Sequence, residues 1–336
     1  MTSTVAPRPA TAWWSRRWLR VALVGAGAAG VVVALDGRLP AASSVLAVAT
    51  GADLRWAAVA VLAQAASQVM FGHQQRRLLH AFAVDVSPRR ATAIAVSRTA
   101  ISMTLPVGSA VSAAFAAQQY RRRGATLPTA TLVAILSGIA SVAGLVLLYA
   151  GGLVGTAVTR PGETRAAVLA GPAVLVAVIV LARSAWPGPA PDRARTRRAG
   201  RAGRVTEFIA TTVRRARTVP ARHWAAAIAF AAANWLLDLA CLAAAAAACH
   251  LSVGYGELAA GYLAAQLARQ LPITPGGLGL VETSLLAGLV TAGAGPANAA
   301  AAVLGYRLVS FWLLLPIGAA AYLGLRRHPG PAADPP

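Results

Sequence analysis

The sequence contains no lysine: its 31 basic residues are all arginine, set against only 10 acidic residues in a chain of 336. A GC-rich genome, which the abundant alanine also indicates, explains the missing lysine. Charged residues make up only 12% of the chain and hydrophobic residues 57%, with a mean hydropathy of +0.61. These values exclude an ordinary soluble protein and are typical of a polytopic membrane protein. The net charge of +21 does not indicate nucleic-acid binding, because the arginines gather between apolar segments.

Cysteine is nearly absent as well. Cys241 and Cys249 both lie in one apolar segment, so neither a disulfide framework nor a thiolate metal site is expected. The five histidines are scattered and lack metal-ligand spacing. No nucleophile elbow or phosphate loop occurs, and Gly25-x-Gly27-x-x-Gly30 is followed by an apolar span rather than by a βαβ unit. We therefore expect no enzyme active site, no metal and no cofactor.

Long apolar stretches dominate what is present. A bilayer requires about 20 residues of helix, and six stretches come close to that length: 19–36, 54–71, 127–151, 165–183, 223–249 and 297–323. Two more, 93–118 and 257–295, are apolar but interrupted by proline and glycine, which stop a helix. The sequence thus predicts an all-α membrane protein with about six spans and two broken-helix segments.

The arginines predict the topology, because they favour the cytoplasmic side. Arginine clusters flank segment 93–118 on both sides, so it should enter the membrane and return to the cytoplasm. The charge-poor loop 37–53 lies outside. Arg326 and Arg327 require an inward last span, which leaves both ends of 257–295 outside. The result is an inverted repeat of the kind found in transporters, with cytoplasmic termini.

We accordingly expect a single membrane domain over 19–325 between two cytoplasmic tails. Its parts are a first repeat at 19–151, a second repeat at 165–325 that contains a basic cytoplasmic linker at 184–222, and tails at 1–18 and 326–336. A cleaved signal peptide at 21–35 is the alternative to an uncleaved first span.

Five ionisable residues fall inside apolar stretches, where each costs about 2.5–3.5 kcal/mol and should face protein or water: Arg98, Asp238, Arg269, Glu282 and Arg307. Arg307 is expected to pair with Asp238 or Glu282, and such pairs either hold the bundle together or serve function. A half-helix that starts near Leu278 would point its N–H groups at an anion. Because the arginines exceed the acids by one, a phosphate group suits this site.

Residues 272–282 read Pro-x-x-Pro-Gly-Gly-Leu-Gly-x-x-Glu, and this pattern resembles the flippase-like transmembrane domain of lysyl-phosphatidylglycerol synthases. Residues 234–238 and 306–308 are similar to that family too, and the resemblance extends over about 20–325. The matching positions are Pro275, Gly276, Gly277, Gly279, Glu282 and Arg307. In the first half Pro106 and Gly108 remain, but Val111 stands where the family pattern has an acid, so two symmetric glutamates are not expected.

The resemblance implies a plasma-membrane protein that binds and moves an anionic phospholipid or a polyprenyl-phosphate lipid between leaflets. Nothing in the sequence indicates ATP use, so the movement would be passive or coupled to an ion gradient. Its site would combine the five ionisable residues with Pro106, Gly108, Pro275 and exposed backbone N–H groups of the glycines. The synthases' aminoacyl-transferase domain is not found in this sequence, so we do not expect it to make lysyl-phosphatidylglycerol. The alternatives are a lipid-binding scaffold for a separate glycosyl- or aminoacyl-transferase, or a transporter of a soluble substrate.

Overall fold

The computed structural model describes residues 41–105, 108–159, 219–270 and 275–327. In these ranges the chain forms α-helices and no strand: α1 Ala42–Thr50, α2 Leu54–His80, α3 Pro88–Thr104, α4 Gly108–Arg121, α5 Leu127–Thr159, α6 Ala221–Ala248, α7 Tyr255–Gln270, α8 Leu280–Thr291, α9 Pro296–Arg307 and α10 Leu314–Arg327. A 3₁₀ turn, Pro275–Gly277, precedes α8, and a π-helical turn, Leu308–Trp312, joins α9 to α10.

Four helices are long and apolar enough to cross a membrane: Leu54–His80, Leu127–Gly152, Ala221–Ala248 and Pro296–Arg327. They coincide with four of the six predicted spans, which confirms the all-α membrane class. The spans predicted at 19–36 and 165–183 lie outside the described residues, as do the tail 1–18, Pro106 and linker residues 184–218. The repeat and domain boundaries therefore stay predictions.

The charge-poor loop predicted at 37–53 contains a short helix, α1. Its residues are uncharged and mostly small, and Val45 and Val48 pack against a buried cluster that includes Ala302 on α9. This packing stabilises the segment as a helix on the bundle, since each buried apolar Å² contributes about 25 cal/mol of free energy.

Helices α2 and α6 are antiparallel and form the centre of the described bundle. The Asp53 N–H donates to Ala248 O at 2.9 Å at one end, and the His223 ring contacts Arg77 O at the other. Between them, the Ser67 hydroxyl donates to Asn234 Oδ1 at 2.9 Å. This bond fixes the register of the two helices.

Most described arginines lie at one end of the bundle. The end of α2, the start of α6 and the end of α10 meet there in one buried cluster through Leu79, Val219 and Leu325. We call this the arginine-rich end, and its arginines are Arg76, Arg77, Arg89, Arg90, Arg121, Arg122, Arg123, Arg222, Arg326 and Arg327. At the opposite end, a second cluster joins the start of α7, the end of α8 and the start of α9.

Each broken segment forms a hairpin of two helices. Hairpin one is α3 with α4, and hairpin two is α7 with α8. The open ends of hairpin one lie at the arginine-rich end, while those of hairpin two lie at the opposite end. The two tips meet in the middle, where Met103 of hairpin one and Leu278 of hairpin two share a small apolar cluster with Phe311. The hairpins therefore point toward each other, as the loop charges predict.

Candidate functional site

The tip of hairpin two is built on glycine. Gly276, Gly277 and Gly279 have φ of 61°, 70° and 84°, a left-handed region that other residues adopt only at a cost. A Cβ on Gly276 would also collide with the Phe311 ring and lie 3.1 Å from Met103 O. The tip can approach both hairpin one and the π-helical turn only because this residue is glycine.

Glu282 closes the N-terminus of α8. Its Oε2 accepts the Gly279 N–H at 2.7 Å, so the carboxylate neutralises the positive end of the helix. The expectation that the glycine N–H groups are exposed for an anion is wrong for Gly279. The Glu282 side chain holds that donor, and an incoming anion has to compete with it.

Arg307 is the partner of Glu282. Its Nε donates to Glu282 Oε1 at 2.5 Å, and its Nη2 lies 3.4 Å from Gly276 O. The guanidinium also stacks 4.6 Å from the centre of the Phe311 ring. Of the two partners considered for Arg307, the structure selects Glu282 rather than Asp238. The Arg307 side chain is only 3% exposed, while that of Glu282 is 23% exposed.

Arg269 lies on the other side of the same glycines. A Cβ on Gly277 would sit 3.5 Å from Arg269 Cγ, so the arginine packs directly beside the tip. Arg269 interacts electrostatically with Arg307, and within the described ranges its guanidinium makes no hydrogen bond or ion pair. We call the following group the tip site: Arg269, Gly276, Gly277, Gly279, Glu282 and Arg307.

Asp238 is enclosed next to the tip site rather than open to it. The residue is 6% exposed, and its Oδ2 accepts from Tyr262 OH at 2.7 Å, Tyr306 OH at 3.1 Å and Gln266 Nε2 at 3.2 Å. We call Asp238 and these three partners the Asp238 cluster. It ties α6 to α7 and α9. Tyr306 immediately precedes Arg307 in the chain, so the cluster and the tip site share helix α9.

Arg98 occupies a different place. Its Nε donates to Ser112 Oγ at 3.4 Å, its guanidinium lies over the Phe71 ring at 5.5 Å, and its Nη1 is buried without a partner among the described residues. Phe71 is four residues from Ser67 along α2, about 6 Å closer to the arginine-rich end at 1.5 Å per residue. Arg98 also precedes Met103, whose carbonyl lies beside Gly276, by five residues of α3, or about 7.5 Å along the helix axis. Arg98 therefore lies on the arginine-rich side of the tip, although it was expected with Arg269 at one head group.

The remaining sequence candidates are at the tips. Gly108 begins α4, and a Cβ there would lie 2.5 Å from Ser102 O, so glycine allows the return of hairpin one. Pro275 begins the 3₁₀ turn of hairpin two. Val111, where the family pattern has an acid, is 44% exposed.

Sequence reasoning missed Tyr262 and Gln266, although a tyrosine and an amide four residues apart on an apolar helix are a readable signal.

Comparison with known protein families shows which family the chain belongs to. The chain matches the family described as the lysylphosphatidylglycerol synthase TM region over residues 17–318. The chain belongs to this family. No curated protein matches it.

Membership of the lysylphosphatidylglycerol synthase TM family makes this a membrane protein of a family associated with lipid handling. The matched range includes every residue of the tip site and of the Asp238 cluster. It ends within α10, after the π-helical turn at which the two hairpin tips meet.

Proposed function

We propose that this protein binds the anionic head group of a phospholipid or polyprenyl-phosphate lipid in the tip site and moves the lipid between leaflets. The observation that carries the proposal is Arg269. It is a membrane-embedded guanidinium beside a broken helix, and no described residue accepts a hydrogen bond from it. A charge at that depth is costly unless it is paired. A phosphate supplies the missing partner.

The rest of the tip site fits that role. Arg307 holds Glu282 against the N-terminus of α8, which fixes the geometry of the tip. Arg269 presents up to five N–H donors in a planar fork that matches two phosphate oxygens. Gly279 is exposed and Glu282 is partly exposed, so a head group can approach the tip on their side.

Lipid flux tests the proposal directly. Purified protein is reconstituted into liposomes that contain a phosphatidylglycerol with a fluorescent acyl chain, and a membrane-impermeant reductant bleaches the outer leaflet. Wild-type protein should expose nearly all of the label, whereas empty liposomes expose only the outer half. Arg269→Gln should slow the exchange about tenfold or more, because a charge-assisted hydrogen bond contributes about 1.5–3 kcal/mol.

Arg55→Gln is the matched control, because Arg55 is exposed at the end far from the arginine-rich end. It should leave the exchange unchanged.

Glu282→Gln should slow the exchange, since it releases Arg307. Retention of lipid without flux would favour the scaffold function, and uptake of a solute with no bound lipid would favour a soluble-substrate transporter. Equal rates in Arg269→Gln and the control would refute the proposed role of Arg269.

We further propose that the arginine-rich end faces the cytoplasm of the cell and that the lipid moves across the plasma membrane, following the positive-inside rule. Single cysteines at Gly124 and Gly293, in loops at the two ends, test the orientation. In intact cells an impermeant thiol reagent should label position 293 and not position 124. Labelling of both positions or the reverse pattern would contradict this orientation.

A further inference from the structure

The Asp238 cluster lies next to the tip site and contains a carboxylate without a cation. All three hydrogen bonds that it accepts converge on one oxygen, Oδ2. None of the described residues forms an ion pair with Asp238. An ionised carboxylate in a buried site is stable only with a compensating positive charge. The cluster thus lacks one positive charge, or one proton.

The groups around Asp238 show where a compensating charge can come from. The ionisable side chains on the helices packed against α6 are Arg55, His73, Arg76, Arg77 and His80 on α2, Tyr149 on α5, Tyr255, Glu257, Tyr262 and Arg269 on α7, and Tyr306 and Arg307 on α9; Arg222, His223 and Cys241 lie on α6 itself. Of these groups, Tyr262 and Tyr306 donate hydrogen bonds to Asp238, and Arg307 forms its ion pair with Glu282. Arg269 interacts electrostatically with both of these tyrosines and is paired with no described residue, so it is a cation available to the cluster.

Two buried amides, one bonded to the carboxylate and one at its level in the bundle, lack a hydrogen-bond donor. Gln266 donates through Nε2 to Asp238 Oδ2, but its own Oε1 is buried without a partner. The Oε1 of Gln64 is also buried and unpaired. The Ser67–Asn234 bond sets the register of α2 against α6, and in that register Gln64 lies at the level of Asp238. Buried acceptors without donors are rare and destabilising.

When a head group engages Arg269, a single proton on Asp238 supplies both the missing positive charge and a donor for the unpaired oxygen of Gln266. A carboxylic acid and a primary amide form a ring of two hydrogen bonds, in which the acid O–H donates to the amide oxygen and the amide N–H donates to the acid carbonyl. The structure contains the second bond, from Gln266 Nε2 to Asp238 Oδ2. The oxygen that would accept the first bond is the unpaired Gln266 Oε1. The neutral acid also needs no cation.

The charges of the tip site connect this proton to the lipid. Arg269 and Arg307 contribute two positive charges, and Glu282 and Asp238 two negative charges, so the empty region is neutral. A head group with one negative charge that binds Arg269 would leave the region with one excess negative charge. Uptake of one proton from water by Asp238 restores neutrality. By linkage, the bound proton then favours the bound anion by the same factor.

Resting on the function proposed above, we propose that Asp238 is a proton-binding site that is loaded when an anionic head group occupies the tip site. The lipid then moves together with one proton. The two sites share α7, which carries Arg269, Tyr262 and Gln266, and α9, which carries Arg307 and Tyr306. A proton on Asp238 changes the hydrogen bonds that hold α7, and α7 ends at the tip.

Proton uptake by the wild-type protein is the first test. A short-chain phosphatidylglycerol is added to detergent-solubilised protein in weakly buffered solution with a pH-indicator dye, and a short-chain phosphatidylcholine serves as the neutral comparison. We expect about one proton taken up per bound phosphatidylglycerol and none with phosphatidylcholine. Binding of phosphatidylglycerol without proton uptake would overturn the proposal. No variant is needed, so the test does not depend on how a mutant folds.

Flux in liposomes is the second test. Exchange of the labelled phosphatidylglycerol by wild-type protein should rise as pH falls, by at most about tenfold per pH unit for one proton. Asp238→Asn resembles the neutral acid and should make the exchange independent of pH. The control Asp53→Asn, at the N-cap of α2, should keep the wild-type pH dependence. Gln266→Leu removes the amide partner and should shift the dependence to lower pH.

The outcomes separate this inference from the proposed function. If phosphatidylglycerol binds and exchanges without proton uptake, and Asp238→Asn keeps the wild-type pH dependence, the proton site is wrong and the lipid function stands. If the wild-type protein neither binds nor exchanges phosphatidylglycerol, the proposed function fails and the proton coupling fails with it.

Discussion

Three glycine-to-alanine substitutions test the packing of the hairpin-two tip by separating backbone strain from collision. Gly138 lies exposed within α5 with nothing within 4 Å of a new Cβ. Gly279 has equal space but a φ of 84°. Gly276 has a φ of 61°, and its Cβ would collide with the Phe311 ring and lie 3.1 Å from Met103 O. A side chain at position 138 therefore meets neither backbone strain nor collision, one at position 279 meets strain alone, and one at position 276 meets both.

The expected changes in unfolding free energy follow from these environments. Gly138→Ala should stabilise the protein by about 0.5–1 kcal/mol, the advantage of alanine in a helix interior. Gly279→Ala should destabilise it by about 1–2 kcal/mol, the cost of a left-handed residue with a side chain. Gly276→Ala adds about 1–3 kcal/mol for overpacking, for a total of about 2–5 kcal/mol.

Thermal unfolding in detergent measures the series, with a dye that becomes fluorescent on reaction with thiols. Cys241 and Cys249 are 0% and 4% exposed, so both react only when the bundle opens. Truncating the ring in a Gly276→Ala, Phe311→Leu double variant should recover part of the loss. If Gly276→Ala proves as stable as Gly279→Ala, or as wild type, the tip does not pack against the last span as described.

Two further substitutions test the polar contacts of the site. Arg307→Lys should lower stability by about 1–3 kcal/mol and slow lipid exchange, because one ammonium cannot replace the guanidinium contacts to Glu282 and the tip carbonyl; unchanged melting and flux would contradict this. Tyr262→Phe removes a donor from Asp238 and should cost about 1.5–3 kcal/mol in the same melting assay. Tyr255→Phe, at a residue 86% exposed, should cost nothing measurable, and equal effects of the two changes would argue against the cluster.

The helix breaks and the direction of the hairpins were accessible from sequence because each depends on local chemistry. Proline and glycine residues closely follow the end of α3, and others occupy the segment between α7 and α8. The arginine clusters in the loops then predict which helix ends lie on the same side of the membrane, because arginine-rich loops favour the cytoplasmic side. The π-helical turn Leu308–Trp312 was not predicted. Four of its five residues are apolar, the fifth is Ser310, and none is proline or glycine.

The internal arrangement of the site was only partly predictable. Sequence spacing restricts Arg307 to partners that its helix can reach, but it cannot choose between Glu282 and Asp238. That choice depends on how α8 and α9 pack. Arg98 was grouped with Arg269 because both are charges in apolar stretches, yet a count of charges contains no information on depth. The partners of Asp238 come from α7 and α9. The spacing of Tyr262 and Gln266 on α7 is a local signal of a polar helix face, but their pairing with Asp238 depends on how the helices pack.

Native mass spectrometry of the protein extracted in mild detergent tests most directly whether the tip site holds an anionic head group. Wild-type protein and Arg55→Gln should each retain one phosphate-bearing anionic lipid, and Arg269→Gln should lose most of it. Equal retention by all three proteins, or retention of neutral lipids alone, would contradict the assignment of Arg269 and the tip of hairpin two as the head-group site.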